Sequence, residues 1–162
     1  MKKEEYTKQE LLRALLKLLE SKTIDDISIT ELVATANVGR ASFYRNYASK
    51  EDILLDYLNT LFKNWGKSFE QEGDPDINAS LLRHFWSEKA FYLTIHKANL
   101  SYYIYTGMKN AMNIKEKTNP IEIYLSSWYA GSIYGFIDEW MRNGMKESPN
   151  DLLLLLKNLM PQ

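Results

Sequence analysis

Three helix starts commit the first fifty residues of this chain to short helices. Each is a small polar residue followed three positions later by an acid: Thr7-Lys8-Gln9-Glu10, Ser28-Ile29-Thr30-Glu31 and Ser49-Lys50-Glu51-Asp52. In such a capping box the first hydroxyl accepts from the fourth backbone N–H, and the acid reaches back to the first N–H. Behind the Thr7 box, Leu11, Leu12, Leu15, Leu16 and Leu19 recur at helical spacing and make one apolar stripe, so a helix is expected over about 8–21. Behind the Ser28 box come only Leu32, Val33 and Ala36 before Asn37-Val38-Gly39 interrupts, because Asn and Gly tolerate the left-handed conformations of tight turns. A second short piece carries Phe43, Tyr44 and Tyr47. The Ser49 box then opens a long helix through Ile53, Leu54, Tyr57, Leu58, Leu61, Phe62 and Trp65 to about residue 71.

The rest of the chain continues in helices. Gln71-Glu72-Gly73-Asp74-Pro75-Asp76 is the clearest break and reads as a loop inside a body. Helical patterns follow at about 77–87, 89–98 and 100–113. Asn119-Pro120 starts a long helix to about Asn143, closed by Gly144. Ser148-Pro149 starts the last, over about 149–159, with Ser as the cap and Pro at the first helical position. The expected fold is all-α with about nine helices and no strand. Residues 1–50 would form a three-helix head and 51–162 a helical body.

Within the head, SITELVATANVGRASFYRNY over residues 28–47 has the pattern of a helix-turn-helix. Leu32, Val33, Ala36, Val38, Phe43 and Tyr47 are expected to pack against the Leu stripe. That leaves Arg40, Ala41, Ser42, Tyr44, Arg45 and Asn46 outward or at the edge. A helix entering the major groove needs short or polar side chains in its first turn. Arg40 can pair with guanine, the Ala41 methyl can meet a thymine methyl, and Ser42 is small and polar. Thr30, Tyr44 and Lys50 are better placed for phosphates, which position a head without reading sequence.

These residues resemble a known family. Residues 7–54 are similar to the N-terminal domain of TetR-type (tetracycline-repressor-like) regulators, through Ile29, Leu32, Ala36, the run Val38-Gly39-Arg40-Ala41-Ser42-Phe43-Tyr44, Tyr47 and the Ser49-Lys50-Glu51-Asp52 start. Asn37 stands where the family usually has Gly, and Gly39 where a Ser or Thr cap is common. Ala41 replaces a frequent Gly. Gly39 is the weaker cap by a few tenths of a kcal/mol. The resemblance implies a transcriptional regulator, usually a repressor, that binds a double-stranded operator. It further implies a C-terminal body that dimerises and often takes a small-molecule inducer.

Two features of the body bear on that implication. Leu152 to Leu156 circles its whole helix, and residues 120–143 carry Ile121, Leu125, Trp128, Ile133, Ile137, Trp140 and Met141 between Gly131, Ser132 and Gly135. Two such helices from each of two chains would make a four-helix interface, with Trp128, Ile133, Ile137, Trp140, Leu152, Leu155 and Leu156 as its candidates. The aromatic-rich stretch around residues 84–105 offers Phe85, Trp86, Tyr92, Tyr102 and Tyr103, with Trp128, as candidates to line an apolar ligand pocket; ordinary core packing is the alternative.

Composition bounds the alternatives. With no cysteine there is no disulfide, thiolate metal site or cysteine nucleophile. The longest aliphatic run is far below the ~20 residues that span a bilayer, and the charged N-terminus has no apolar signal core, so a cytoplasmic protein is expected. Residues 1–50 carry 9 basic and 7 acidic groups, and residues 51–162 carry 11 and 14, a modest bias toward a DNA-facing head. His84 and Glu88 share a helix face, but two residues do not make a metal site. No phosphate-binding Gly loop, nucleophile elbow or spaced carboxylate pair suggests an enzyme, and no cofactor is expected. A helical small-molecule-binding protein and a pure interaction module are the readings that compete with the regulator.

Overall fold

The computed structural model describes residues 3–73 and 76–159. Among the described residues nine α-helices follow one another: α1 (Lys3–Leu19), α2 (Ile29–Thr35), α3 (Arg40–Asn46), α4 (Lys50–Glu72), α5 (Ile77–Ser87), α6 (Lys89–Lys97), α7 (Ser101–Ala111), α8 (Pro120–Arg142) and α9 (Pro149–Leu159). A single 3-10 turn at Ile114–Glu116 lies between α7 and α8. Among the described residues there is no strand.

The local chemistry sets most of these bounds. Ser49 and Asp52 form the complete reciprocal box that starts α4. Ser148 and Asp151 do the same before α9, with Pro149 in the first turn. The Ser28 box is half made: the hydroxyl takes the Glu31 N–H, but the Glu31 carboxylate goes to the Lys22 ammonium. The Thr7 box is not a helix start at all. α1 begins four residues earlier with Glu4 and Glu5 in its first turn, where their charges suit the helix dipole, and Thr7 is buried inside the helix. Asp74 and Pro75 of the expected break lie outside the described residues. Either side of them, α4 closes on a left-handed Gly73, and the Asp76 side chain caps α5.

One continuous core runs through the molecule. Leu11, Leu15, Ile27, Leu32 and Phe43 fill the N-terminal part, and Ile53, Leu54, Leu58, Phe85, Tyr92, Ile95 and Ile104 carry it into the body. α1 packs on α4 and α6 as well as on α2 and α3, so the N-terminal helices rest directly on the body. An ion pair from Lys8 to Asp56 (3.1 Å) and a hydrogen bond from the Tyr47 hydroxyl to the same carboxylate (2.8 Å) tie α1 and the end of α3 to α4. Burial, with Asp56 beside it, pushes the Tyr47 phenol well above its ordinary range, so it stays a donor.

Candidate nucleic-acid interface

α2 ends in a turn that only a few residue types permit. Asn37 is left-handed (φ 52°), its N–H bonds to the Ala34 carbonyl, and the Val38 N–H reaches the Val33 carbonyl. This is a Schellman closure with Asn in the place usually held by Gly. It turns the chain so that α3 packs across α2. Leu32, Val33, Ala36, Phe43 and Tyr47 are buried, and Val38 packs against the same core. The inward set expected from the sequence is therefore the inward set found.

What remains outside is the presented face. Arg40, Ala41, Tyr44 and Arg45 on α3, Gly39 at its start and Thr30 on α2 are exposed, with Tyr44 at 53%. The Arg40 guanidinium lies 5.7 Å from the Tyr44 ring centre and 3.4 Å from its hydroxyl, so the two project as one unit. Arg45 donates to the Ser42 hydroxyl at 2.7 Å, and the Asn46 amide donates to the Ser42 carbonyl at 2.7 Å. Ser42 and Asn46 are half-buried. A base-reading role for Ser42 or Asn46 thus requires exchanging these local bonds for bonds to DNA. Gly39 caps α3 with extended backbone (φ −74°, ψ 143°) and no side-chain bond.

Lys50 sits differently from its expected phosphate-facing position. Its ammonium donates to the Ile27 carbonyl at 2.7 Å and also to the Ile24 carbonyl, and the side chain is part-buried. The reason lies in the 20–28 connection, whose carbonyls point at the start of α4 and need donors. Lys50 staples that loop to α4 instead of projecting freely.

The six aromatic residues put forward for a pocket divide between core and surface. Phe85 and Tyr92 are fully buried with ring centres 4.3 Å apart, and are core. Trp86 stacks on Trp140 (5.8 Å, 10° between planes), and the Lys89 ammonium lies 4.5 Å from the Trp86 ring centre. Tyr102 and Trp128 face outward, and Tyr103 packs at the edge of the core. Beside Tyr92, His84 is held neutral: burial lowers its pKa from 6.5 to about 4. No group of three or more potential metal ligands occurs among the described residues.

The expected partner-facing set divides. Trp128 is 70% exposed and Leu155 is also exposed. Ile137, Trp140 and Leu152 are buried in this protomer's own core, Trp140 donating its indole N–H to the Glu147 carbonyl. Those three have no surface left to offer, because α8, which carries Ile137 and Trp140, packs on α6 and α7, and α9, which carries Leu152, packs on α5. Ile133 is half-buried against the core, and the Leu156 side chain lies outside the described residues. Ile121, Tyr124, Leu125 and Leu154 are exposed beside Trp128 and Leu155. None of these four was among the interface candidates, although the 121, 124, 125, 128 spacing marks Ile121, Tyr124 and Leu125 as one helical stripe with Trp128.

No described helix is long and apolar enough to cross a membrane. Residues 11–57 match the family model of bacterial regulatory proteins of the tetR family, and residues 75–162 match that of the transcriptional regulator C-terminal region. A search of curated proteins found no match. Among solved structures, the crystal structure of Lin0861 from Listeria innocua is similar with a TM-score of 0.78 at 18% identity, over 95% of this chain and 88% of that one. The dihydroxyacetone kinase operon activator DhaS is similar with a TM-score of 0.51 at 19% identity, over 94% of this chain and 93% of that one.

Proposed function

Because the chain belongs to the TetR family of DNA-binding transcriptional regulators, we propose that it acts as a homodimer whose two α3 helices enter successive major grooves of a pseudo-palindromic operator. The observation that carries this reading is the face of α3, where Arg40, Ala41, Tyr44 and Arg45 stand exposed over a fully buried Phe43. Arg40 and Ala41 are the proposed base readers. Tyr44, Arg45 and Thr30 are proposed to meet phosphates.

The dimer is supported by the outer face of α8 and α9. Ile121, Tyr124, Leu125 and Trp128 on α8, and Leu154 and Leu155 on α9, are each more than half exposed, and apolar groups in that number favour a partner over water. A second copy is the occupant because a lone three-helix reader holds DNA weakly, whereas a two-fold pair reads two half-sites. Repression is the proposed mode, since a dimer seated on a promoter blocks it without further parts. A small molecule that binds one head spacing better than the other would release it.

The test is selection of bound sequences from a random double-stranded pool. The expected outcome is a pseudo-palindrome with half-site centres one helical turn or a multiple apart. Recovery of unrelated sequences, or binding that ignores salt, would remove the reading.

A further inference from the structure

α7 crosses α4 at its closest approach where Gly107 meets Leu58 and Phe62; a Cβ at Gly107 would lie 3.2 Å from both. Beyond this crossing, the second half of α4 and the segment 109–116 enclose a cleft of about 620 Å³, within the range of small-molecule sites. Phe62 lines it, and the Asn110 side-chain amide donates a hydrogen bond to the Asn59 Oδ1 across it (3.2 Å). Four lysines line it: Lys63 and Lys67 from α4, Lys109 and Lys115 from the opposite wall. Two acids, Glu70 and Glu116, share the lining, yet none of the four ammonium groups has a carboxylate within 4 Å among the described residues. Lys109 is held over the Tyr105 ring at 4.4 Å.

This arrangement runs against the rest of the body. Residues 51–162 carry more acids than bases, but here bases lead, and Lys63 and Lys67 stand one turn apart, where like charges repel. Cations on two walls with no carboxylate partner are stabilised by an anion between them. Lysine ammonium groups bind phosphate as point charges, and a phosphate group concentrates more than one negative charge among them. We propose that this cleft binds a small phosphorylated molecule with two or more negative charges and is the effector site of the regulator.

The site is connected to the head by α4 itself. Its first residue, Lys50, follows α3 by only a short turn and staples the 20–28 loop. An anion that draws Lys63 and Lys67 toward Lys109 and Lys115 levers α4 about the Gly107 contact and changes the angle at which α3 is presented. That consequence rests on the function proposed above; the binding does not.

The experiment uses the full chain with inorganic pyrophosphate as the probe. Melting is followed during titration against sodium chloride of matched ionic strength, with citrate as a second arm. Pyrophosphate is expected to raise the melting temperature saturably. Lys63→Gln with Lys67→Gln, and separately Lys109→Gln with Lys115→Gln, should each raise the half-saturating concentration at least about ten-fold, while Lys→Arg at the same positions retains binding. Anisotropy of a labelled operator should change with the same half-saturation. A response equal to that of chloride, or one undiminished in the Gln variants, overturns the site. Citrate acting as well as pyrophosphate overturns the phosphate assignment. Saturable melting without any operator binding keeps the site and removes the proposed function, so the two fail separately.

Discussion

His84 shows how one residue ties packing to solution behaviour. Its Nε2 lies 2.9 Å from the Tyr92 hydroxyl, and its ring lies against Phe62, Phe85 and Trp65. Burial disfavours the cation and lowers its pKa from 6.5 to about 4. The unfolded chain takes up this proton below pH 6.5, and the folded chain only near pH 4. Stability from this residue is therefore fully present above pH 6.5, falls between pH 6.5 and 4, and levels below. Allowing for the partly exposed ring, the loss should be on the order of 2 kcal/mol. Urea unfolding at pH 7 and pH 4.5 measures it. His84→Gln, which retains a polar partner for Tyr92, should flatten that part of the profile.

At the scale of elements, the connection from α1 to α2 depends on a donor from a different helix. Lys50 supplies it through the Ile24 and Ile27 carbonyls. Lys50→Met should cost about 1–3 kcal/mol in stability, and the slope of log affinity against log salt should stay unchanged. A residue spending its charge on a phosphate would instead reduce that slope by about one. This detail also marks where sequence reading stops. Helix starts at Ser28, Ser49, Asn119 and Ser148 were legible because a cap and its bond lie within three residues. The inward face of α2 and α3 was legible because helical period alone sets it. Thr7 misled, because a capping box inside a longer helix has the same spelling as one at its start. Lys50 with Ile24, and Trp140 with Glu147, pair across loops whose path the local pattern does not contain. The aromatic residues of 84–105 looked like a pocket lining since composition does not distinguish a filled core from a hollow one. The Lys63, Lys67, Lys109 and Lys115 cleft was invisible because its walls come from segments forty residues apart.

For the whole molecule, what matters is which apolar surface is already covered. Ile137, Trp140 and Leu152 are used inside the protomer, whereas Ile121, Tyr124, Leu125, Trp128, Leu154 and Leu155 are not. Trp128→Glu should therefore leave the fold and melting of the protomer nearly intact while converting the proposed dimer to monomer in sedimentation velocity. Trp140→Ala should instead destabilise the protomer itself by about 3–5 kcal/mol. Operator affinity should fall with the loss of dimer, because each half-site is then bound alone.

All of this turns on whether α3 is the element that reads DNA. The direct measurement is fluorescence anisotropy of the selected operator with the wild-type chain and with Arg40→Ala, together with the melting temperature of each. Arg40 is exposed, and among the described residues its side chain pairs with Tyr44 alone. The predicted result is a loss of about 1–3 kcal/mol in operator affinity, roughly five- to more than a hundred-fold, with relaxed preference at one base pair of each half-site and an unchanged melting temperature. Equal affinity and equal sequence preference for the two proteins would contradict it.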